Sequence, residues 1–232
     1  MNNPWLERCA DLKYGTSKVV HQIFLKISDK SIEDFPVFMK CMEKTKKWCK
    51  DNGWGHKLWT EIPWDICNDD DKYIFTEGAK RCPFLPCDYL RLVLLDRYGG
   101  IYIDLDNNPT DKLIEIIDDE IIIGLHDTKH ISNDEVQRAK PRKLTYGTNV
   151  IKLTRPLASQ LHQFAIDSYY EKEKIKVYET WIFRFLFQSV GPSMFKRFMK
   201  LNNIPMNLTF YEYFDEYLTN TWKEHIPSFS QE

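Results

Sequence analysis

The spacing of apolar positions divides the chain into short strands and longer helices. "KVVHQIFLKI", from Lys18, is a β-branched and apolar run enclosing His21 and Gln22, which predicts a buried first strand. "DFPVFMKCMEKTKKWCKDNG" sets Phe38, Met42, Thr45 and Cys49 at helical spacing and stops on Asn52-Gly53, so a helix follows. "HKLWTEI" predicts a second strand, and "ICNDDDKY" a solvated acidic turn, because its residues do not match the spacing of a calcium loop. Pro86 and Asp88 then suit a helix start, Leu90, Val93, Leu94 and Tyr98 build its apolar face, and Gly99 caps it. Gly100 opens "IYIDLD", where a period of two sends Ile101, Ile103 and Leu105 one way and Tyr102, Asp104 and Asp106 the other. The expected strand therefore carries both acids on one face and ends in a loop, Asn107-Asn108-Pro109.

"EIIIGLHD" and "GTNVIKLT" read as further strands, and "PLASQLHQFAIDSYYEK", "VYETWIFRFLFQ" and "PSMFKRFMKLNN" as helices. Between the two strands, 127–146 is charged and without apolar period, which predicts a mobile lid or acceptor edge. Alternating strands and helices indicate an α/β layer fold. We read 1–232 as one domain, with 1–17 an N-terminal arm.

Composition narrows the function. With 232 residues, 43% of them hydrophobic and 14% aromatic, the chain can bury one sizeable core. A net charge of -2 gives no field to recruit nucleic acid, and no aromatic and basic stripe compensates. The polar start "MNNPWLERCADLKYG" lacks a signal-peptide core and no run reaches the length of a membrane span. The expectation is a cytoplasmic enzyme, bacterial or viral, or the soluble part of a membrane-anchored one. Six scattered cysteines without a Cys/His cluster predict reduced, packed thiols. Lysines 44, 46, 47 and 50 read as a solvated helix face.

The paired acids change the picture. Asp104 and Asp106 sit among apolar residues, where carboxylates need partners, and at the carboxyl end of a strand, where open α/β sheets bind ligands. Hard oxygens there suit Mn²⁺, with Mg²⁺ as the alternative, completed by diphosphate oxygens. Such an ion would neutralise charge on a departing diphosphate. Three rivals compete. A haloacid-dehalogenase-like phosphatase would use the first acid as nucleophile, but its motif belongs to a first strand. A glycosidase needs carboxylates about 5 to 9.5 Å apart across the sugar, which neighbours on one strand face cannot supply. A non-catalytic carbohydrate-binding protein would have no need of the intact acids.

"CDYLRLVLLDRYGGIYIDLDNNPT" resembles the DXD-motif sugar transferases that include Golgi α-1,6-mannosyltransferases and, more distantly, the large glucosylating bacterial toxins; Asp88, Arg91, Tyr98, Gly99, Gly100, Asp104 and Asp106 carry the match. "VVHQIF", "GTNVIKLTRP" and "SVGPSMF" extend it over most of the chain, whereas "TWKEHIPSFSQE" has His225 without the family's later tryptophan. The resemblance implies a GT-A-type nucleotide-sugar-binding fold, α/β with a central mostly parallel sheet flanked by helices. It implies retention of anomeric configuration, a UDP- or GDP-sugar donor, and a glycan or glycoprotein acceptor. By the same resemblance Asp106 and His225 hold the metal, and Asp104 meets the ribose or sugar. Asp88 and Arg91 grip the donor sugar, and Tyr98, Gly99 and Gly100 belong to the donor side. His21 and Gln22 lie near the base, and Asn149 near the anomeric centre. Asp104, Asp106, Arg91 and Asn149 form the expected catalytic set.

Overall fold

The computed structural model describes residues 17–26, 30–126, 145–174, 182–204 and 214–216. His225, Trp222, the first sixteen residues of the expected arm and 127–144 of the expected loop lie outside the described residues. The elements run β1 (Val19–Ile23), α1 (Pro36–Asp51), β2 (Gly55–Trp59), α2 (Asp69–Arg81), α3 (Leu85–Tyr98), β3 (Ile101–Ile103) and β4 (Asn107–Pro109). They continue as β5 (Ile122–His126), β6 (Thr145–Lys152), α4 (Arg155–Lys174), α5 (Ile182–Ser189), α6 (Pro192–Leu201) and β7 (Phe214–Glu216).

Five strands form the main sheet in the order β2-β1-β3-β6-β5. β1 is parallel to both β2 and β3, while β6 is antiparallel to β3 and to β5. β5 thus runs with the first three, only β6 is reversed, and the expected mostly parallel sheet is present. Because side chains alternate along a strand, each face buries its own set. Tyr102, Ile123 and Ile151 pack under α2, α3 and α4 to α6, and Val20, Ile101, Ile103 and Val150 pack with Trp48 and Cys49 of α1. Among the described residues no helix is long and apolar enough to cross a membrane.

The structure departs from the expected elements in four places. β3 ends at Ile103, and Asp104-Leu105-Asp106-Asn107 is a turn closed by the Asn107 N–H donating to the Asp104 carbonyl at 3.0 Å. The acids are not successive same-face positions of a strand, because Asp and Asn residues favour turns. The expected loop Asn107-Asn108-Pro109 is instead β4, paired antiparallel with β7. Third, the "acidic turn" opens α2: Asn68 Oδ1 accepts from the Asp71 N–H and the Asp71 carboxylate accepts from the Asn68 N–H, a capping box, with Lys80 and Arg81 in the last turn. The sequence signal was Asn-x-x-Asp ahead of Ile74, Phe75 and Gly78. β6 also begins at Thr145, inside the segment read as a mobile loop.

Gly99 and Gly100 have φ of 67° and 81°, and a Cβ on Gly100 would lie 2.5 Å from the Val19 carbonyl oxygen. Here glycine is a requirement of both backbone and space. Gly100→Ala should lower stability by about 2 kcal/mol or more, measured by urea unfolding. A change within 0.5 kcal/mol would mean that the two strands do not meet so closely.

Candidate active site

The motif's spacing is a matter of matched lengths. From Arg91 to Gly99 α3 advances about 12 Å. From Gly100 to Asp104 the extended chain returns about 13 Å. The Gly-Gly turn reverses direction between them, so Asp104 arrives level with Arg91.

What meets there is a buried ionic cluster. The Arg91 guanidinium donates through Nη2 to Asp88 Oδ1 and through Nη1 to the Thr148 carbonyl, with Nη1 also 3.6 Å from Asp104 Oδ1. It lies over the Tyr102 ring, 4.7 Å from the centroid. The Tyr102 hydroxyl donates to Asp104 Oδ1. Side-chain exposure is 8% for Arg91, 16% for Asp88 and 31% for Asp104, so the cluster opens to solvent at Asp104. Burial pushes the Tyr102 hydroxyl well above its usual range and keeps it a donor. Burial also raises the Asp88 carboxyl, Asp104 adds to that, and Arg91 opposes it. Desolvation works against the Arg91 charge, but Asp88, Tyr102 and Asp104 outweigh it and push its pKa up. Arg91 Nε remains buried without a hydrogen-bond partner. The Val190-Gly191 turn closes over Asp88, since a Cβ on Gly191 would stand 3.4 Å from Asp88 Oδ2.

β6 supplies the other wall. Ile103 is opposite Val150, and the Asp104 N–H donates to the Asn149 carbonyl at 2.7 Å, so Asp104 and Asn149 share a sheet face with Tyr102. Asn149 Oδ1 is buried without a partner. Asp106, two residues past Asp104, is engaged from the opposite side: with burial, its charge raises the pKa of the Cys41 thiol of α1. Asn108 Nδ2 donates to Cys41 Sγ at 3.5 Å and ties β4 to the same helix.

The structure therefore brings Asp88, Arg91, Asp104 and Asn149 together, and leaves other sequence-selected residues apart. Tyr98, Gly99 and Gly100 lie at the far end of α3 from Asp88. There Tyr98 stacks on Trp59, with centroids 5.6 Å apart. His21 Nε2 donates to the Gly99 carbonyl at 3.0 Å, and its Nδ1 accepts from Trp59 Nε1 at 3.2 Å. Burial pulls its pKa down to about 4, which agrees with the neutral tautomer those bonds require. Gln22 faces α1: its Oε1 accepts from His56 Nε2 at 2.9 Å and its Nε2 reaches Thr45 Oγ1 and the Asp104 carbonyl, each at 3.5 Å. His21 and Gln22 thus lie on opposite faces of the sheet with their polar atoms engaged by the protein. Tyr102 and Thr148 were missed. The period of two already put Tyr102 on the acids' face, but a backbone carbonyl carries no sequence signal.

Among the described residues no group of three or more His, Cys, Asp and Glu could hold a metal ion by itself. A cation bound through one or two carboxylates and a ligand's diphosphate needs no such group, and the half-buried Asp106 with the accessible Asp104 has the right donor chemistry.

Residues 36–123 match the family model for the glycosyltransferase sugar-binding region containing a DXD motif. The match covers well under half of the chain and makes this stretch similar to such a region. The matched stretch runs from the first residue of α1 into β5, and so holds Asp88, Arg91, Tyr102, Asp104 and Asp106, with Asp104-Leu105-Asp106 as an Asp-x-Asp. No curated protein matches the chain in sequence. Among solved structures, the PaToxG glycosyltransferase is similar at 14% identity and a TM-score of 0.48, over 93% of this chain and 86% of that one. A glycosyltransferase involved in glycosylation of the major capsid of PBCV-1 is similar at 11% identity and a TM-score of 0.35, over 76% and 78%.

Proposed function

We propose that the chain moves a hexose from a UDP- or GDP-sugar to a glycan or glycoprotein acceptor, with retention at the anomeric carbon and with Mn²⁺ or Mg²⁺ bound. The observation that carries this reading is the Asp88–Arg91–Tyr102–Asp104 cluster, most open to solvent at Asp104, inside the stretch that matches a glycosyltransferase sugar-binding region. Asp88 and Arg91 offer a carboxylate and a fixed fork of donors to sugar hydroxyls. Asp104, oriented by Tyr102, accepts from a ribose or sugar hydroxyl. Asp106, with His225, would hold the cation, which when bound neutralises charge on the departing diphosphate. The fixed positive charge of Arg91 is offset by Asp88, so its part is to orient the sugar and to stabilise charge that develops during transfer. Asn149 stands opposite Asp104, where its amide can meet the sugar ring. His21 and Gln22 support the site through the Gly99 turn and the Asp104 carbonyl.

A thermal-shift panel of UDP- and GDP-sugars with Mn²⁺ tests the reading. A donor at about 100 times its Kd stabilises by about 2.7 kcal/mol, which for a chain of this size raises the melting temperature by roughly 5 to 10 °C. Asp106→Ala should remove the metal-dependent part of that shift and abolish donor hydrolysis, while the ligand-free protein still shows a cooperative melting transition. No shift with any donor, or full hydrolysis in Asp106→Ala, would overturn the assignment.

A further inference from the structure

We propose that Gly124 and Gly147 are positioning residues that shape a niche for the Asn149 amide, and so fix its contact with the donor sugar. The proposal rests on the sugar-transferase reading above. A Cβ on Gly124 would lie 2.6 Å from Asn149 Oδ1, and one on Gly147 2.3 Å from it, both well inside van der Waals contact. Among the described residues, the glycines with positive φ are Gly53, Gly99 and Gly100. The φ angles at 124 and 147 therefore do not require glycine; at 124 it is Asn149 that does, and at 147 it is Asn149 together with the Gly124 carbonyl oxygen, 3.1 Å from the same Cβ.

Strand pairing explains why two glycines converge on one amide. The β5–β6 register shifts between Ile123 and Leu125, so Gly124 alone faces the β6 stretch between Tyr146 and Ile151. Gly147 is two residues before Asn149 and shares its face. The same stretch gives the Thr148 carbonyl to Arg91 and the Asn149 carbonyl to Asp104. Asn149 Oδ1 is enclosed against glycine backbone without a hydrogen-bond partner, an arrangement that does not stabilise the free protein. Its placement beside Asp104 has its use at the donor, where the free end of the amide meets a sugar hydroxyl.

A double-mutant cycle tests the niche, with UDP-glucose and GDP-mannose plus Mn²⁺ as probes. Gly124→Ala should lower kcat for donor hydrolysis about ten- to a hundredfold, as loss of one well-placed hydrogen bond does, with KM within about threefold. Asn149→Ala should do the same, and the double variant should be no worse than Asn149→Ala alone. Without ligand, Gly124→Ala should lower the melting temperature by roughly 2 to 10 °C through overpacking, and by less than about 1 °C when Asn149 is already alanine. Additive losses in kcat, wild-type kinetics in Gly124→Ala, or the same melting loss in both backgrounds would overturn the proposal. If the wild-type protein binds neither probe, nor any donor in the wider panel, the sugar-transferase reading fails. The melting-temperature cycle then still decides whether the glycines hold Asn149.

Discussion

Arg91→Ala should lower the melting temperature by about 10 °C and cut donor hydrolysis at least a hundredfold, whereas Arg91→Lys should recover most of the stability and little of the activity. The stability loss follows from burial. Removing one partner of a buried ion pair costs about 3 to 5 kcal/mol, because the other charge is left without compensation, and at this chain length each kcal/mol is worth about 2 to 4 °C. Asp88 would be the stranded charge. Its carboxyl is already raised by burial and by Asp104, and Arg91 is what opposes the rise. Without Arg91 the folded state would hold the Asp88 proton to higher pH than the unfolded chain does. Stability of Arg91→Ala should therefore increase as pH falls from 8 to 5, more than in the wild type. Lysine restores a charge but not a fork, and cannot serve Asp88 and the Thr148 carbonyl at once. Thermal unfolding against pH and donor hydrolysis measure the two effects. A lysine variant at half the wild-type rate would show that a point charge suffices.

His162→Ala should be the most destabilising change away from the acids, lowering the melting temperature by a comparable 10 °C while sparing donor affinity in the folded fraction. His162 Nε2 donates to Asp71 Oδ1 and Nδ1 to Asp96 Oδ2, both at 2.8 Å. Tyr89 also donates to Asp71, and Arg97 Nη1 stands 3.1 Å from Asp96 Oδ2. With a carboxylate at each ring nitrogen the imidazole is held as the cation: burial works against that charge, and the two hydrogen-bonded acids raise its pKa above the usual value. The network joins α2, α3 and α4 behind the helix that presents Asp88 and Arg91. Alanine would leave two nearly buried carboxylates facing a gap, again a loss of about 3 to 5 kcal/mol.

The pH dependence has two limbs. The His162 contribution is complete below about pH 6.5, its unfolded value, and is lost as pH rises through the raised folded pKa. Asp71 and Asp96 are lowered by the His162 bonds despite burial, so theirs is present above about pH 4 and is lost as pH falls through their depressed values. Wild-type stability should exceed that of His162→Ala most between these limits, and the gap should narrow at alkaline pH, where the neutral ring keeps only one N–H to donate. A constant gap from pH 6 to 10 would mean that the ring acts by packing alone.

The route to the site was legible from local pattern because its parts are local. Helix, Gly-Gly turn and strand are contiguous, and their lengths follow from the rise per residue, so the spacing of Arg91, Gly99 and Asp104 already contained their meeting. The α2 helix was legible too, in its capping box, but three successive acids looked like a solvated turn. Acids in a first helical turn favour the helix dipole, and that was the competing principle that won. His162 could not be read. Its spacing on α4 suits a core position, and nothing local says that Asp71 and Asp96 will meet it from two other helices.

The sequence by itself determined most of the strands and helices, and that Asp88, Arg91 and Asp104 lie within one hairpin-like unit of helix and strand. Periodicity and turn chemistry act over a few residues, and that is the range a sequence pattern reports. The tertiary structure alone decided that β3 stops before the acids, that β7 returns to pair beside them, and that His21 and Gln22 face opposite sides of the sheet. It also decided that two glycines on β5 and β6 make room for Asn149. Each of these depends on which strand becomes whose neighbour, and that choice is made by burial of both sheet faces over the whole chain rather than by any one segment.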